Sequence, residues 1–149
     1  MREAIDQGYK AALKARDQRR TATLRAINAA IKDKDIEARG QGKGPLSNDE
    51  ILVLLQKMVK QREESFAIFA QAGRNDLATV EKEEIDILNG FLPKGLTDAE
   101  VEEAINAAIA KTGAAGAKDM GKVIASLKAD YPGRIDFSKA SGKVKAALG

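Results

Sequence analysis

The chain has 149 residues, with 25 basic and 22 acidic side chains and a net charge of +3. It contains neither cysteine nor histidine, which excludes disulfides, Ser-His and Cys-His catalytic machinery and the most common zinc ligands. No apolar run approaches the roughly 20 residues that span a bilayer, and the N-terminus is charged rather than apolar. We therefore expect a cytoplasmic protein that needs no membrane, metal ion or cofactor.

Charge is distributed unevenly along the chain. Residues 1–44 carry a net charge of +5 and residues 112–149 carry +4, whereas residues 45–92 carry −4 and residues 93–111 carry −2. Basic ends of this kind can bind a polyanion, but they are also typical of an ordinary solvated surface. The charge pattern leaves both interpretations open.

Two helices are predicted in the first 40 residues, the first over residues 2–17. Apolar side chains recur in both at helical spacing: Ile5, Tyr9 and Leu13, then Leu24, Ile27 and Ile31. Basic residues dominate the other side of the second helix: Arg16, Arg19, Arg20, Arg25, Lys32 and Lys34. Gly8 weakens the pattern of the first helix.

A loop rich in glycine, residues 40–45, separates the second helix from the third. Residues 47–50 form a capping box, with a serine at the cap and a glutamate three positions later, which predicts the start of the third helix. Phe66 and Phe69 extend its apolar face, so we expect both in the core. Gly73 is predicted to end the helix in the left-handed conformation.

The fourth helix is predicted to begin at Asn75 or Asp76, and it is the most acidic segment of the chain. It should stop before Pro93, where two helix breakers within three residues mark the best candidate for a domain boundary. The predicted domains are 1–92 and 96–149. We thus expect an all-α fold, with an N-terminal four-helix part followed by a smaller C-terminal three-helix bundle.

A set of motifs, in order along the chain, resembles the GatB/YqeY family. These are Leu24-Arg25 with Ala29-Ala30, Lys60 to Ser65, Phe69, Ala72 to Leu77, Glu81, Glu84, Phe91 to Pro93, and Asp119 to Val123. The resemblance implies an all-helical protein whose second part is similar to the tail domain of the B subunit of tRNA-dependent amidotransferase, the piece that holds tRNA. It also implies a family label of carbon–nitrogen ligase activity with glutamine as amido donor.

The residues argue against self-sufficient amide chemistry. No glycine-rich phosphate loop of the Walker type is present, because the glycines at 40–44 are followed by proline and those at 113–116 by no Lys-Ser/Thr pair. Catalysis is therefore not assigned to any residue. The resemblance instead favours a tRNA-binding accessory protein that works beside an aminoacyl-tRNA synthetase or an amidotransferase.

Candidate nucleic-acid-binding residues lie in the C-terminal part, where basic side chains outnumber acidic ones. They are Lys118, Lys122, Lys128, Arg134, Lys139, Lys143 and Lys145. Lys122 and Lys143 lead this set, since Gly121 and Gly142 precede them and a residue without a side chain lets a backbone approach a phosphate closely. The alternative reading of Gly121 is close helix packing.

Motif residues outside this set are expected to be structural: Lys60, Arg62, Arg74, Asp76, Glu81, Glu84, Pro93 and Gly121. Arg74 is predicted to form an ion pair near Glu81 or Glu84 that fixes the turn between the third and fourth helices. A metal site among the glutamates here would depart from the usual Glu-x-x-His pattern of helical di-metal proteins.

Two other functions remain open. One is a protein–protein interaction module that binds no RNA, for which the acidic central helices would provide the docking surface. The other is a carbon–nitrogen ligase component that acts only with partner subunits.

Overall fold

The computed structural model describes all 149 residues and contains seven α-helices and no β-strand, which confirms the all-α fold. A single 3-10 turn at Ala117–Asp119 leads into α6. The helices are α1 (Arg2–Ala15), α2 (Gln18–Gly40), α3 (Asn48–Gln71), α4 (Asn75–Asn89), α5 (Asp98–Thr112), α6 (Met120–Asp130) and α7 (Phe137–Leu148).

Two compact units divide the chain, Met1–Leu92 and Pro93–Gly149. Each unit has its own hydrophobic core. The first buries mainly isoleucine and leucine: Ile5, Leu24, Ile27, Ile51, Leu55 and Leu88. The second buries Ile105, Val123, Leu127, Ile135 and Val144. Burial of each such side chain contributes about 1.5–3 kcal/mol.

The predicted capping box of α3 is formed, and α5 begins with a second one. The Ser47 hydroxyl accepts the N–H of Glu50 at 3.2 Å at the start of α3. The Thr97 hydroxyl accepts the N–H of Glu100, also at 3.2 Å, at the start of α5. Each satisfies an N-terminal amide that has no partner within its helix, which is worth about 1 kcal/mol.

Helix ends differ from the predicted ones at the first two helices. α1 ends at Ala15, because Arg16 adopts a left-handed conformation with φ of 56° and its N–H bonds back to Leu13. α2 continues through Gly40, two residues short of the positive-φ Gly42. A glycine alone does not end a helix that its neighbours can continue.

Phe69 is only half-buried and lies outside the core, and the predicted burial of Phe66 is wrong as well. Its side chain is 36% exposed, and Ile68 beside it is 65% exposed. The buried residues of α3 end at Val59 and those of α4 begin at Ala78 and include Leu88. The C-terminal half of α3 therefore packs on α4 without being enclosed by further helices.

Gly8 has a packing role that explains its place inside α1. A Cβ atom added there would lie 3.1 Å from Cζ of Phe91 and 3.7 Å from a methyl group of Leu24. The ring of Phe91 thus packs directly on the α1 backbone. This contact anchors the end of the first unit, since Phe91 follows α4.

Arg134 forms hydrogen bonds with the first residues of the second unit. Its Nε donates to the carbonyl of Lys94 at 2.9 Å, and its own carbonyl accepts the N–H of Leu96, also at 2.9 Å. The segment before α5 is thereby bonded to the loop before α7. None of the seven helices is both long enough and apolar enough to cross a membrane.

Candidate nucleic-acid interface

Three of the predicted contact lysines are exposed, and their side chains take no part in ion pairs or hydrogen bonds: Lys118, Lys139 and Lys145. Lys118 lies in the 3-10 turn before α6, and the other two lie on α7. An exposed ammonium without a partner keeps its full charge for a ligand, apart from screening by salt.

Lys122 and Lys143 each form a long ion pair with an aspartate. Nζ of Lys122 lies 3.7 Å from Oδ1 of Asp119, and Nζ of Lys143 lies 3.5 Å from Oδ1 of Asp98. The Asp98 side chain is fully exposed. Surface pairs of this kind are worth about 0–1 kcal/mol, so a phosphate group could displace Asp98 at small cost. The Asp119 side chain is only 16% exposed and also accepts the N–H of Ala115 at 3.0 Å.

Lys128 and Arg134 are engaged in the structure of the second unit itself. Nζ of Lys128 lies 5.6 Å from the centre of the Phe137 ring. The guanidinium carbon of Arg134 lies 6.0 Å from the centre of the Tyr131 ring. Arg134 also holds the Lys94 carbonyl. These two cations have less freedom to turn toward a ligand than the unpaired lysines.

Gly142 occupies an exposed position on α7, on the side away from the buried Ala140 and Val144. Lys139 and Lys145 are its neighbours, three residues before and three after, so they lie on opposite flanks of the glycine. A Cβ atom added at Gly142 would meet no atom within 4 Å. Packing therefore does not require a glycine here.

Gly121 is likewise exposed, in the first turn of α6. A Cβ atom added there would also meet nothing within 4 Å. The alternative interpretation, close helix packing, is therefore wrong for this residue, because no atom of another helix lies within 4 Å of the place that a Cβ atom would take.

Predicted contact residues do not all share one face. Lys122 and Lys128 are six residues apart on α6 and project to different flanks of that helix. Acidic residues concentrate instead on α5: Asp98, Glu100, Glu102 and Glu103. The pKa of Glu100 is lowered, mainly by the hydrogen bond from the Thr97 backbone. Within this unit most of the basic side chains lie on α6, α7 and the 3-10 turn.

The acidic helix α4 is joined to α3 by a half-buried ion pair. Nε of Arg62 donates to Oε2 of Glu84 at 2.7 Å, and the two side chains are 17% and 19% exposed. Burial, and then the nearby charge of Glu84, raise the pKa of Glu81, which Arg62 partly offsets. Arg62 therefore pairs with Glu84 and lies close enough to Glu81, one helical turn away, to oppose the rise of its pKa.

Arg74 does not make the contact predicted for it. Its Nε lies 3.5 Å from Oδ1 of Asp76, in a pair that is largely exposed, instead of near Glu81 or Glu84. Arg74 lies in the turn before α4, whereas Arg62 faces the middle of that helix. Of the other motif residues, Lys60 is on the exposed side of α3, and Pro93 is exposed in the segment that follows α4.

Sequence reasoning missed two contacts in the first unit. Arg2 forms a two-pronged pair with Asp35, at 2.8 and 2.9 Å, and Asp35 also accepts the N–H of Leu46 at 2.8 Å. Arg25 donates to the hydroxyl of Tyr9 at 3.1 Å. These residues are far apart in the chain, so no local pattern could have revealed them.

A comparison with family models matches residues 2–148 to the family described as Yqey-like protein. The match covers nearly every residue, so the chain belongs to the YqeY-like family. This confirms the resemblance drawn from the motifs.

Curated relatives share one name, "Altered inheritance of mitochondria protein 41, mitochondrial". The protein of Eremothecium gossypii is 32% identical over 99 residues, which is 66% of this chain and 52% of the relative. The proteins of Kluyveromyces lactis and Pyrenophora tritici-repentis are each 28% identical over 97% of this chain, and over 74% and 79% of their own lengths. The chain thus spans about half the length of the first relative.

These names contradict the predicted cytoplasmic location, because each relative is called a mitochondrial protein. The prediction was wrong in its reasoning as well. A lack of cysteine and of long apolar segments does not distinguish one reducing aqueous compartment from another.

Proposed function

We propose that this YqeY-like protein is a tRNA-binding accessory protein whose C-terminal unit binds the phosphate backbone of a folded RNA. An aminoacyl-tRNA synthetase or an amidotransferase would be the enzyme that it assists. The observation that carries the proposal is the surface of α7 formed by Lys139, Gly142 and Lys145, which we call the α7 surface.

The α7 surface combines two free cations with bare helix backbone. Residues three apart on a helix are surface neighbours, so each lysine lies beside Gly142. A phosphate group placed over the glycine would meet no side chain and would have an ammonium within reach on either side. Lys143, whose partner Asp98 is fully exposed, adds a third cation one helical turn after Lys139.

Gly142 lowers the stability of α7, and packing does not explain why a glycine is present there. Glycine in a helix interior is less favourable than alanine by about 0.8–1.0 kcal/mol, and the space around Gly142 would accept a methyl group. A ligand that must approach the backbone closely gives this residue a purpose.

Scarce aromatic side chains favour recognition of RNA shape over recognition of single strands. Single-stranded nucleic acid binds through bases that stack on aromatic side chains. The aromatic residues of the second unit are Tyr131 and Phe137, both half-buried and each next to a cation of the same unit. Phosphate contacts to a folded RNA need no such platform.

The test is a titration of labelled tRNA with the double variant Lys139→Ala, Lys145→Ala. We expect its affinity to fall by about tenfold or more at low salt, since two phosphate contacts are lost. The matched control is Lys57→Ala, Lys82→Ala, which removes the same charge from exposed positions of the first unit. Equal affinities of the two double variants would overturn the assignment of the α7 surface.

A second candidate function, docking of a protein partner, is favoured by the exposed apolar side chains of α3. Phe66 and Ile68 lie in the half of that helix that no third helix covers. If purified protein binds no tRNA at low salt, the variant Ile68→Ser should then be compared with wild type for retention of a co-purifying protein. Loss of that protein in the variant would support docking.

A further inference from the structure

A shallow depression lies on the first unit where α1 turns into α2. Its volume is about 390 Å³. It is lined by Leu13, Arg16, Gln18, Thr21, Ala22 and Arg25. Two of these side chains are guanidinium groups, and no carboxylate is among them.

Arg16 is exposed and has no ion-pair partner. It is also the one residue other than glycine with a positive φ, of 56°. Glycine or asparagine would fit this helix end better than a residue with a long side chain. The fold therefore does not require an arginine at this position.

The Arg25 side chain is held in place by Tyr9. Its Nε donates to the Tyr9 hydroxyl at 3.1 Å, and its guanidinium carbon lies 5.9 Å from the centre of the Tyr9 ring. No carboxylate pairs with this group, so its terminal N–H donors are available toward the depression. A guanidinium that is fixed in advance loses little freedom when it binds an oxyanion.

Other charges nearby are already engaged. Asp17, beside Arg16 in the chain, caps α2 by accepting the N–H of Arg20 at 3.0 Å. Arg20 lies over the Phe91 ring, and Arg19 pairs with Glu83 at 3.1 Å. Arg16 and Arg25 are thus the two cations that line the depression, and neither has a carboxylate partner.

From this arrangement we propose that the depression binds a phosphate group, as a free anion or as the phosphate of a nucleotide. Arg16 and Arg25 would donate to its oxygens, because planar guanidinium groups match the geometry of phosphate. Gln18 and Thr21 supply uncharged donors, and Leu13, which is half exposed, supplies an apolar wall. The inference concerns the first unit and goes beyond the function proposed for the second.

The experiment is a calorimetric and ¹⁵N NMR titration of the whole chain, first with inorganic phosphate and then with 5′-AMP. We expect saturable binding of at least one ligand, with shifts of the Nε–H signals of Arg16 and Arg25. Tighter binding of 5′-AMP would identify a nucleotide as the source of the phosphate, and equal binding would identify the free anion. Absence of saturable binding by both ligands would overturn the proposal.

Variants make the site assignment sharper. Arg16→Gly removes the guanidinium while suiting the left-handed backbone, so we expect it to melt no lower than wild type and to bind about ten- to hundredfold more weakly. Arg25→Gln should weaken binding similarly. Lys32→Gln is the control, since it removes one exposed charge from α2 outside the depression. Affinity that falls equally in all three variants, or in none, would contradict a defined site.

Discussion

At the scale of single residues, the first unit is fixed by a few polar contacts between distant parts of the chain. Asp35 is the clearest case, because it joins Arg2 at the start of α1 to the Leu46 backbone just before α3. The Arg2 hydrogen bond, followed by that of Leu46, lowers the pKa of Asp35 from 3.8 to about 2. The folded state therefore holds the proton of Asp35 less tightly than the unfolded chain does.

This pKa shift predicts a pH dependence of stability. A lowered pKa contributes stability above the ordinary value of 3.8, and that contribution is lost as the pH falls toward about 2. Urea denaturation at a series of pH values should show a flatter acid limb for Asp35→Asn than for wild type. Asp33→Asn, an exposed carboxylate on the same helix, should keep the wild-type slope. Identical slopes in all three proteins would show that Asp35 is not the linked group.

The ion pairs Arg62–Glu84 and Arg74–Asp76 should contribute differently to the free energy of unfolding, because they differ in burial. Arg62 and Glu84 are less than one-fifth exposed, whereas Arg74 and Asp76 are more than half exposed. We expect Arg62→Ala to lower the free energy of unfolding by about 1–3 kcal/mol, since it leaves Glu84 and Glu81 without their cation. Arg74→Ala should cost about 1 kcal/mol or less. Denaturant unfolding measures both, and a larger loss for Arg74→Ala would refute this ranking.

At the scale of helices, local chemistry predicted the elements but not the partners of their side chains. Caps and turn residues act within a few positions, so the starts of α3 and α4 followed from the sequence. Arg62 and Arg74 both precede the acidic α4 in the sequence. Only the packing of the helices determines that Arg62, and not Arg74, pairs with Glu84. Phe66 fits the apolar pattern of α3, but no third helix covers that end.

In the candidate site, too, the sequence predicted the position of side chains on a helix but not the contacts that they make. Lysines of α7 could be predicted to share a surface with Gly142, because helix geometry alone sets that relation. Nothing in the sequence showed that Lys128 lies over Phe137, or that Arg134 bonds to Lys94. These contacts bring together residues 9 and 40 positions apart, and only the three-dimensional packing reveals them.

Gly142 provides a prediction for α7 as an element. Gly142→Ala should raise the free energy of unfolding by about 0.5–1 kcal/mol, because alanine is the better helix former and has room. The same variant should bind tRNA more weakly, since the methyl group would keep a phosphate away from the backbone. Paired urea denaturation and tRNA titration measure both effects. A more stable variant with unchanged tRNA affinity would contradict a close approach at Gly142.

At the scale of the whole molecule, two helical units with separate cores carry different distributions of charge. The first has the acidic α4, and the second concentrates its positive charge on α6 and α7 while its acidic residues lie mainly on α5. A net charge of +3 would attract RNA only weakly. The proposed RNA binding therefore depends on the local arrangement of exposed lysines.

The most direct test of RNA-backbone binding is the salt dependence of the affinity of wild-type protein for bulk tRNA. If Lys118, Lys122, Lys139 and Lys145 each neutralise one phosphate, affinity should fall by about a hundredfold between roughly 50 and 200 mM salt. Saturable binding with that slope is the predicted result. Absence of binding at the lower salt concentration, or an affinity that salt does not change, would contradict the account.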